Sequence, residues 1–181
     1  MLRTIVLGSA AGGGFPQWNC SCRLCALARA GDPRVSPRTQ ASIAVSADGE
    51  HWLLVGASPD LPQQLARTPA LHPRGLRHSP IFGVVLVNAE VDGIAGLLSL
   101  RERHPFTLWA TRDVLDVIDG NGIFDVLGPS VRRCEIAPDA VVACGHGLQL
   151  QLRPLPGKQP LHAETDDRAE PAPVHAASIE A

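Results

Sequence analysis

The stretch that most constrains this chain is residues 5–25, where a short apolar run leads into a loop with four glycines and then into three cysteines. Glycine gives such a loop backbone conformations that other residues rarely adopt. Cys20, Cys22 and Cys25 fall within six residues, a spacing that can bring three sulfurs to a common point. Three neighbouring thiols cannot all pair as unstrained disulfides, whereas tetrahedral zinc accepts thiolates readily, so the spacing favours structural zinc. Three free, partly buried thiols are the alternative.

The composition is typical of one globular domain, with 181 residues, 45% of them hydrophobic and 19% charged. A net charge of −2 provides no basic face, so nucleic acid is not an expected partner. No apolar run approaches the ~18 residues that a membrane helix needs, and residues 1–7 lack the pattern of a signal peptide. We therefore expect a cytoplasmic protein without a membrane partner, whose five cysteines suit metal binding better than disulfides.

Strand and helix signals alternate along the chain, which predicts a mixed α/β sandwich. The Asp-Gly pair at 48–49, between two apolar runs, indicates a hairpin, and Ser-Pro-Asp at 58–60 indicates the start of a helix, with Ser58 as its cap. The apolar run 81–87 is expected to be a strand buried on both faces. The predicted strands are 4–8, 40–46, 51–55, 81–87, 106–110, 131–136 and 148–155, and the predicted helices are 25–29, 58–67, 94–101 and 111–119.

The last stretch, residues 159–181, is acidic and rich in alanine and proline, with few large apolar residues. Such a composition cannot bury enough apolar surface to offset the entropy lost on ordering. We expect a disordered tail here, after an ordered domain of residues 1–158.

The string LGSAAGGGFPQWNCSCRLC, at residues 7–25, resembles the start of the coenzyme PQQ synthesis protein B family, a member of the metallo-β-lactamase fold superfamily. Residues 38–61, 75–102 and 155–158 resemble further blocks of the same family, so the similarity covers nearly all of residues 1–158. The resemblance implies an αββα sandwich. Because family members are considerably longer, it also implies that this chain supplies only the N-terminal half of the sandwich and part of the join.

The superfamily carries a His-x-His-x-Asp-His loop after a buried strand, because imidazole and carboxylate groups converge there on one or two metal ions. The four matching positions in this chain are Asn88, Glu90, Asp92 and Gly93. Glu90 and Asp92 are left as the oxygen ligands of a vestigial site, too few for tight binding without the second half. We favour a solvated loop at this position, assign no catalytic residue, and leave a second, catalytic metal open.

Relatives in the superfamily hold zinc with the same cysteine cluster and a fourth ligand, usually histidine, from the C-terminal region. The resemblance therefore implies structural zinc on Cys20, Cys22 and Cys25, with the fourth ligand unassigned. It also implies an open apolar sheet face where the second half would pack, which would favour self-association.

As to function, the resemblance implies a role in the biosynthesis of pyrroloquinoline quinone (PQQ). That role is either metal-dependent oxidation of a peptide-derived tyrosine precursor or transport of PQQ or its precursor to the periplasm. The alternative is a non-catalytic remnant that serves at most as a structural zinc-binding module. A generic metallo-hydrolase is a third hypothesis, and the missing histidines count against it. The incomplete motif leaves open whether the chain is an enzyme.

Overall fold

The structure, a computed structural model, describes residues 1–156 and 174–181. Its strands are β1 (Arg3–Gly8), β2 (Ser42–Ser46), β3 (Trp52–Val55), β4 (Ile81–Val85), β5 (Phe106–Ala110), β6 (Val131–Glu135), β7 (Val141–Gly145), β8 (Leu148–Leu155) and β9 (Val174–Glu180). Its α-helices are α1 (Arg23–Arg29), α2 (Leu61–Arg67), α3 (Val91–Ile94) and α4 (Arg112–Asp119), with 3₁₀ helices at Pro69–Leu71, Ala95–Leu100 and Gly122–Leu127. These elements confirm the mixed α/β class.

The strands form a six-stranded sheet in the order β1-β2-β3-β4-β5-β6 and a three-stranded sheet in the order β7-β8-β9. In the larger sheet β1, β2 and β3 pair antiparallel, whereas β3, β4, β5 and β6 pair parallel. Parallel strands end at one edge of a sheet, and functional loops commonly gather at that edge. The segments that follow β3 and β4, which carry Ser-Pro-Asp and the degenerate metal motif, therefore lie side by side.

Two apolar cores separate three layers of structure. One core lies between the six-stranded sheet and the helices and includes Leu54, Val84 and Ile118. The second lies between the two sheets and includes Leu53 and Leu150. Because successive strand residues point to opposite faces, Leu53 and Leu54 enter different cores, and both are fully buried. This double burial is what the apolar strands of the parallel part predict.

The inner face of the six-stranded sheet is covered over its central strands by the described residues of the second sheet. Val45, Leu53 and Val85 are 4%, 0% and 0% exposed, since β7, β8 and β9 pack on them. The open apolar face that the resemblance implies is present in part, because Val6 and Ile43, paired across β1 and β2 on this face, are 65% and 36% exposed. Strands β7, β8 and β9 supply part of the second sheet and cover the rest of the face. Self-association through the open part stays a prediction.

The predicted disordered tail is wrong for its last part, where Val174–Glu180 forms β9. This strand pairs antiparallel with β8 over seven residues, from Leu155↔Val174 to Gln149↔Glu180. Ala177 and Ile179 pack into the core between the sheets. A segment of small residues is thus ordered by a backbone ladder with a distant strand, a contact that composition cannot reveal. Residues 159–173 of the predicted tail lie outside the described residues.

Helix α4 illustrates how the helical layer attaches. Its residues Val114, Leu115 and Ile118 are buried, which is the spacing of one helical face. Thr111 occupies the N-cap position, but its hydroxyl makes no capping hydrogen bond. At eight residues α4 is the longest helix described, and no helix in the described part of the chain has the length and apolarity needed to cross a bilayer.

Candidate metal centre

The three clustered cysteines converge in the structure, as their spacing predicts. The sulfur atoms of Cys20, Cys22 and Cys25 all lie within 4.8 Å of one another. Cys22 directly precedes α1 in an extended conformation, and Cys25 lies in the first turn of that helix, where its side chain is buried. Cys20 reaches the same point from the preceding loop. One helix start and one loop therefore supply all three thiols.

Arg29, at the end of α1, holds that loop over the helix. Its guanidinium donates hydrogen bonds to the backbone carbonyls of Gln17, Trp18 and Cys20. The Cys20 N–H also donates to the Gln17 carbonyl at 3.1 Å, which closes a turn before the cluster. Sequence reasoning did not single out Arg29, although its spacing from Cys22 and Cys25 places it on the same face of the helix.

The three thiols do not ionise alike. Hydrogen bonds from the Cys25 backbone N–H and from the Cys20 and Cys25 thiols lower the pKa of Cys22 to about 7. The Gln17 backbone lowers the pKa of Cys25, but burial and the hydrogen bonds with Cys20 and Cys22 outweigh it, so the pKa of Cys25 is raised. Thiolate is the form that ligates metal. A converging trio with one thiol already half ionised near neutral pH fits zinc.

The glycine loop lies directly against the degenerate metal motif. A Cβ added to Gly12 would lie 3.3 Å from Oδ2 of Asp92, so this carboxylate packs on the bare loop backbone. Gly13 and Gly14 have φ of +89° and +72°, conformations that favour glycine. The loop is fixed to the strands by a bridge between Ala10 and Gln40. The glycine loop that leads into the cysteine cluster is thus in contact with the motif.

Within the motif itself, Asn88 has taken up a structural role. Its side-chain oxygen accepts a hydrogen bond from the Glu90 N–H at 3.1 Å. A Cβ added to Gly93 would lie 2.8 Å from that oxygen, so a larger residue at Gly93 displaces Asn88. Glu90 and Asp92 are half buried, and among the described residues no third ligand atom lies near enough to complete a set with them. The region keeps two carboxylates but not a metal-binding group.

The loop after β3 packs on this motif through backbone contacts. The Ala57 N–H donates to the Gly93 carbonyl at 2.7 Å, and the Gly96 N–H donates to the Ala57 carbonyl at 2.8 Å. A Cβ at Gly96 would lie 2.2 Å from the Ser58 carbonyl oxygen, so only glycine permits this approach. The segment that carries Asp92 is therefore held by backbone contacts with the loop after β3.

Asp60 has a different role from the one its sequence context suggests. Helix α2 begins at Leu61 with Asp60 in the N-cap position, and neither Ser58 nor Asp60 makes a side-chain cap. Instead Oδ2 of Asp60 accepts hydrogen bonds from the backbone N–H of Gln40 at 2.9 Å and from its side-chain amide at 3.1 Å. Asp60 thereby ties the helix start to the strand that anchors the glycine loop.

The two other cysteines lie in the core between the sheets. Burial and the neighbouring Cys134 raise the pKa of Cys144 to about 11. A buried thiol with a raised pKa is protonated at neutral pH and behaves as a small apolar side chain. Cys144 therefore serves as a core residue, with Cys134 packed against the same core.

The profile of the β-lactamase superfamily domain matches residues 51–178, and the chain belongs to that superfamily. Coenzyme PQQ synthesis protein B of Methylobacterium sp. (strain 4-46) is 60% identical to the chain over 165 residues, which are 90% of this chain and 55% of that protein. The protein of the same name from Gluconacetobacter diazotrophicus is 55% identical over 173 residues, covering 91% of this chain and 56% of that protein.

Solved structures agree with these relationships. The crystal structure of Zn²⁺-bound PqqB from Methylobacterium extorquens matches with a TM-score of 0.95 and 51% identity, covering 100% of this chain and 62% of that one. A diphosphatase of the PhnP family matches with a TM-score of 0.70 at 21% identity over 99% of this chain and 62% of that one, a likeness of fold alone. The metallo-β-lactamase fold and the resemblance to the coenzyme PQQ synthesis protein B family are confirmed. The chain spans about half the length of the curated relatives it matches, 55% for the first named above.

Proposed function

We propose that this chain has a role in the biosynthesis of PQQ. The observation that carries the proposal is the match of the whole chain to PqqB of Methylobacterium extorquens, with a TM-score of 0.95 at 51% identity. The diphosphatase shares the fold at only 21% identity. The similarity to PqqB is therefore closer than a common fold requires. We place this role in the cytoplasm, since the five cysteines are free thiols, as in a reducing compartment.

We further propose that Cys20, Cys22 and Cys25 hold a structural zinc ion. Three facts support this: the sulfurs lie within 4.8 Å of one another, the pKa of Cys22 is lowered to about 7, and the PqqB relative is described as Zn²⁺-bound. When bound, zinc would supply a cross-link between the loop and α1, because the charge of three thiolates weakens it as a Lewis acid. Among the described residues no fourth ligand joins the cluster.

The substrate we propose is a peptide-derived tyrosine precursor of PQQ, bound at the edge where the glycine loop and the loop after β4 meet. Asp92 packs on Gly12 there, so this edge presents a carboxylate beside exposed backbone. Oxidation of such a precursor at a metal needs more ligands than Glu90 and Asp92 supply. On this proposal the described residues position the precursor, and transport of PQQ or its precursor is the less favoured role.

A second candidate function is a non-catalytic zinc-binding module. The observation that favours it is Gly93, which stands where the motif has histidine and whose added Cβ would lie 2.8 Å from the Asn88 side chain. The side chain of Asn88 therefore occupies the space that a histidine side chain at position 93 would need.

The experiment that separates the two is complementation. A PQQ-producing strain deleted for its own family member receives this chain, and PQQ output is measured together with soluble protein and its zinc content. We expect PQQ above the level of the deletion strain, and we expect its loss when Cys20, Cys22 and Cys25 are replaced by serine. A soluble, zinc-loaded chain that yields no PQQ would establish the non-catalytic module instead.

A further inference from the structure

We propose a second divalent metal site, in which His51 and His146 are the ligands and Asp48 orients His51, that joins a turn of the six-stranded sheet to a turn of the three-stranded sheet. One ligand atom from each of these residues lies within 4.8 Å of the others. The site lies at the opposite edge of the sandwich from the cysteine cluster and the degenerate motif. Asp48 and His51 precede β3, whereas that motif follows the C-terminal end of the parallel β4.

Asp48 is fixed before any metal binds. Its Oδ1 accepts hydrogen bonds from the Glu50 N–H at 2.7 Å, from the His51 N–H at 2.8 Å and from the Ser46 hydroxyl at 3.0 Å. These contacts form the turn between β2 and β3. They leave Oδ2 facing the imidazole of His51, so the carboxylate is already placed to orient that ring.

His51 is oriented by that carboxylate. Its Nδ1 lies 2.8 Å from Oδ2 of Asp48, an arrangement in which the ring N–H donates to the carboxylate. The neutral tautomer then carries its lone pair on Nε2. A carboxylate that holds one imidazole nitrogen while the other binds metal is a recurring feature of histidine metal sites. The side chain of His51 is 45% exposed, which leaves it open to an ion from solvent.

His146 comes from the other sheet, 95 positions further along the chain. It lies at the turn between β7 and β8 with φ of +49°, between two glycines that also have positive φ. Its ring stacks on His51 with centroids 3.9 Å apart and lies 4.6 Å from the ring of Phe82. The two turns also touch beside the rings, since a Cβ added to Gly147 would lie 3.6 Å from Cβ of Ala47.

Imidazole ligands from His51 and His146 suit a borderline ion such as Zn²⁺, Ni²⁺ or Cu²⁺, whereas Mg²⁺ and Ca²⁺ prefer oxygen ligands alone. In stacked rings the nitrogen lone pairs point in nearly parallel directions and do not meet at one ion. Metal binding therefore requires the exposed ring of His146 to rotate toward Nε2 of His51. Of the neighbouring charges, Glu50 and Arg74 lie 3.6 Å apart and pair with each other, and the guanidinium of Arg3 lies against Gly49 of the same turn. Water would complete the coordination sphere. The expected consequence is a metal-dependent clamp across the sandwich.

The test uses zinc alone as the probe, in the variant with Cys20, Cys22 and Cys25 replaced by serine, so that the thiolate site is absent. We expect this variant to bind one equivalent of zinc and to gain thermal stability as zinc is added. His51→Gln and His146→Asn should each weaken binding at least about tenfold and abolish the thermal shift. Asparagine is chosen at 146 because it tolerates the left-handed conformation. His72→Gln, at an exposed histidine away from the cluster, is the control and should bind zinc unchanged.

Cobalt on the wild-type chain gives a second, independent readout. The first equivalent should show the intense thiolate-to-cobalt absorption of the cysteine site, and a second equivalent should bind without it. That second equivalent should be lost in His146→Asn while the thiolate absorption stays. The proposal is overturned if the serine variant is folded and binds no zinc, or if zinc remains bound when His51→Gln and His146→Asn are combined. In either case the stacked histidines are a metal-free contact between the turns.

Discussion

His175 and Val87 form a double contact between the two sheets: the backbone N–H of His175 lies 2.9 Å from the Val87 carbonyl oxygen and its ring Nδ1 lies 3.2 Å from the same atom. A carbonyl only accepts hydrogen bonds, so the ring donates from Nδ1. His175 is 4% exposed, and its Nε2 has no partner among the described residues. Strand β9 is thereby attached to the residue immediately before Asn88, where the degenerate motif begins.

Replacing His175 by leucine removes the ring donor and keeps most of the volume, while the backbone bond is retained. We expect the free energy of unfolding to fall by about 1 kcal/mol, the net value of one such hydrogen bond, partly offset by removal of the unpartnered Nε2. Urea denaturation measures the change. Ser178→Ala, in the same strand, is the control and should lie within about 0.5 kcal/mol of the wild type. A His175→Leu protein as stable as that control would show that the ring contact contributes nothing.

The lowered pKa of Cys22 predicts selective alkylation in the metal-free protein. With a pKa of about 7, half of the Cys22 thiol is ionised at neutral pH, whereas Cys144, with a pKa of about 11, is protonated. The rate of iodoacetamide modification at Cys22 should rise with a midpoint near pH 7 and exceed that at Cys144, as followed by peptide mass spectrometry. Saturating zinc should protect Cys22. Equal rates at both positions would contradict the assigned ionisation.

Arg29 should control how firmly the cysteine cluster holds zinc, although it is not a ligand. Arg29→Gln removes the guanidinium that donates hydrogen bonds to the backbone carbonyls of Gln17, Trp18 and Cys20. Cys20 then loses the contact that fixes its position. We expect zinc transfer to a competing chelator to become about tenfold faster or more, in the range seen when residues behind a ligand are removed. Arg23→Gln, on the same helix, is the matched control. Identical rates for the two variants would contradict a role of Arg29 in the site.

A double-mutant cycle tests whether Asn88 has replaced the lost motif residue. Gly93→His forces the Asn88 side chain from its hydrogen bond with Glu90, and we expect a loss of about 1–3 kcal/mol in stability, as for other overpacked sites. In an Asn88→Ala background the same change should cost less by at least about 0.5 kcal/mol, because the clashing oxygen is gone. Chemical denaturation of the four proteins gives the coupling. Additive effects would show that the two residues do not compete for space.

The sequence predicts the elements whose signal is local. Strands β5 and β8 occur at the predicted residues. All five residues of β5 are buried, and its sequence is mostly apolar. In β8, apolar and polar residues alternate over the first five positions. The convergence of Cys20, Cys22 and Cys25 follows from spacing alone. Strand β7 is not predicted, since its one exposed valine, Val141, and its small residues give a weak pattern, and the strand is ordered by pairing with β8.

What the sequence does not predict depends on partners that are distant in the chain. Asp60 pairs with Gln40 instead of capping α2, and His175 pairs with Val87 across 88 positions. The two glycines that flank His146 predict only a turn residue, and its contact with His51 exists only once both sheets are assembled. Such contacts follow from the sheet topology, which local patterns leave open.

The register of β8 with β9 has a consequence for how this chain tolerates change. Leu155 lies directly opposite Val174, and the pairing continues without a break to Gln149 and Glu180. Because side chains alternate between the two faces of a strand, inserting or deleting one residue within β9 would turn Ala177 and Ile179 away from the core between the sheets. A peptide tag or a deletion is therefore tolerated least inside this ladder.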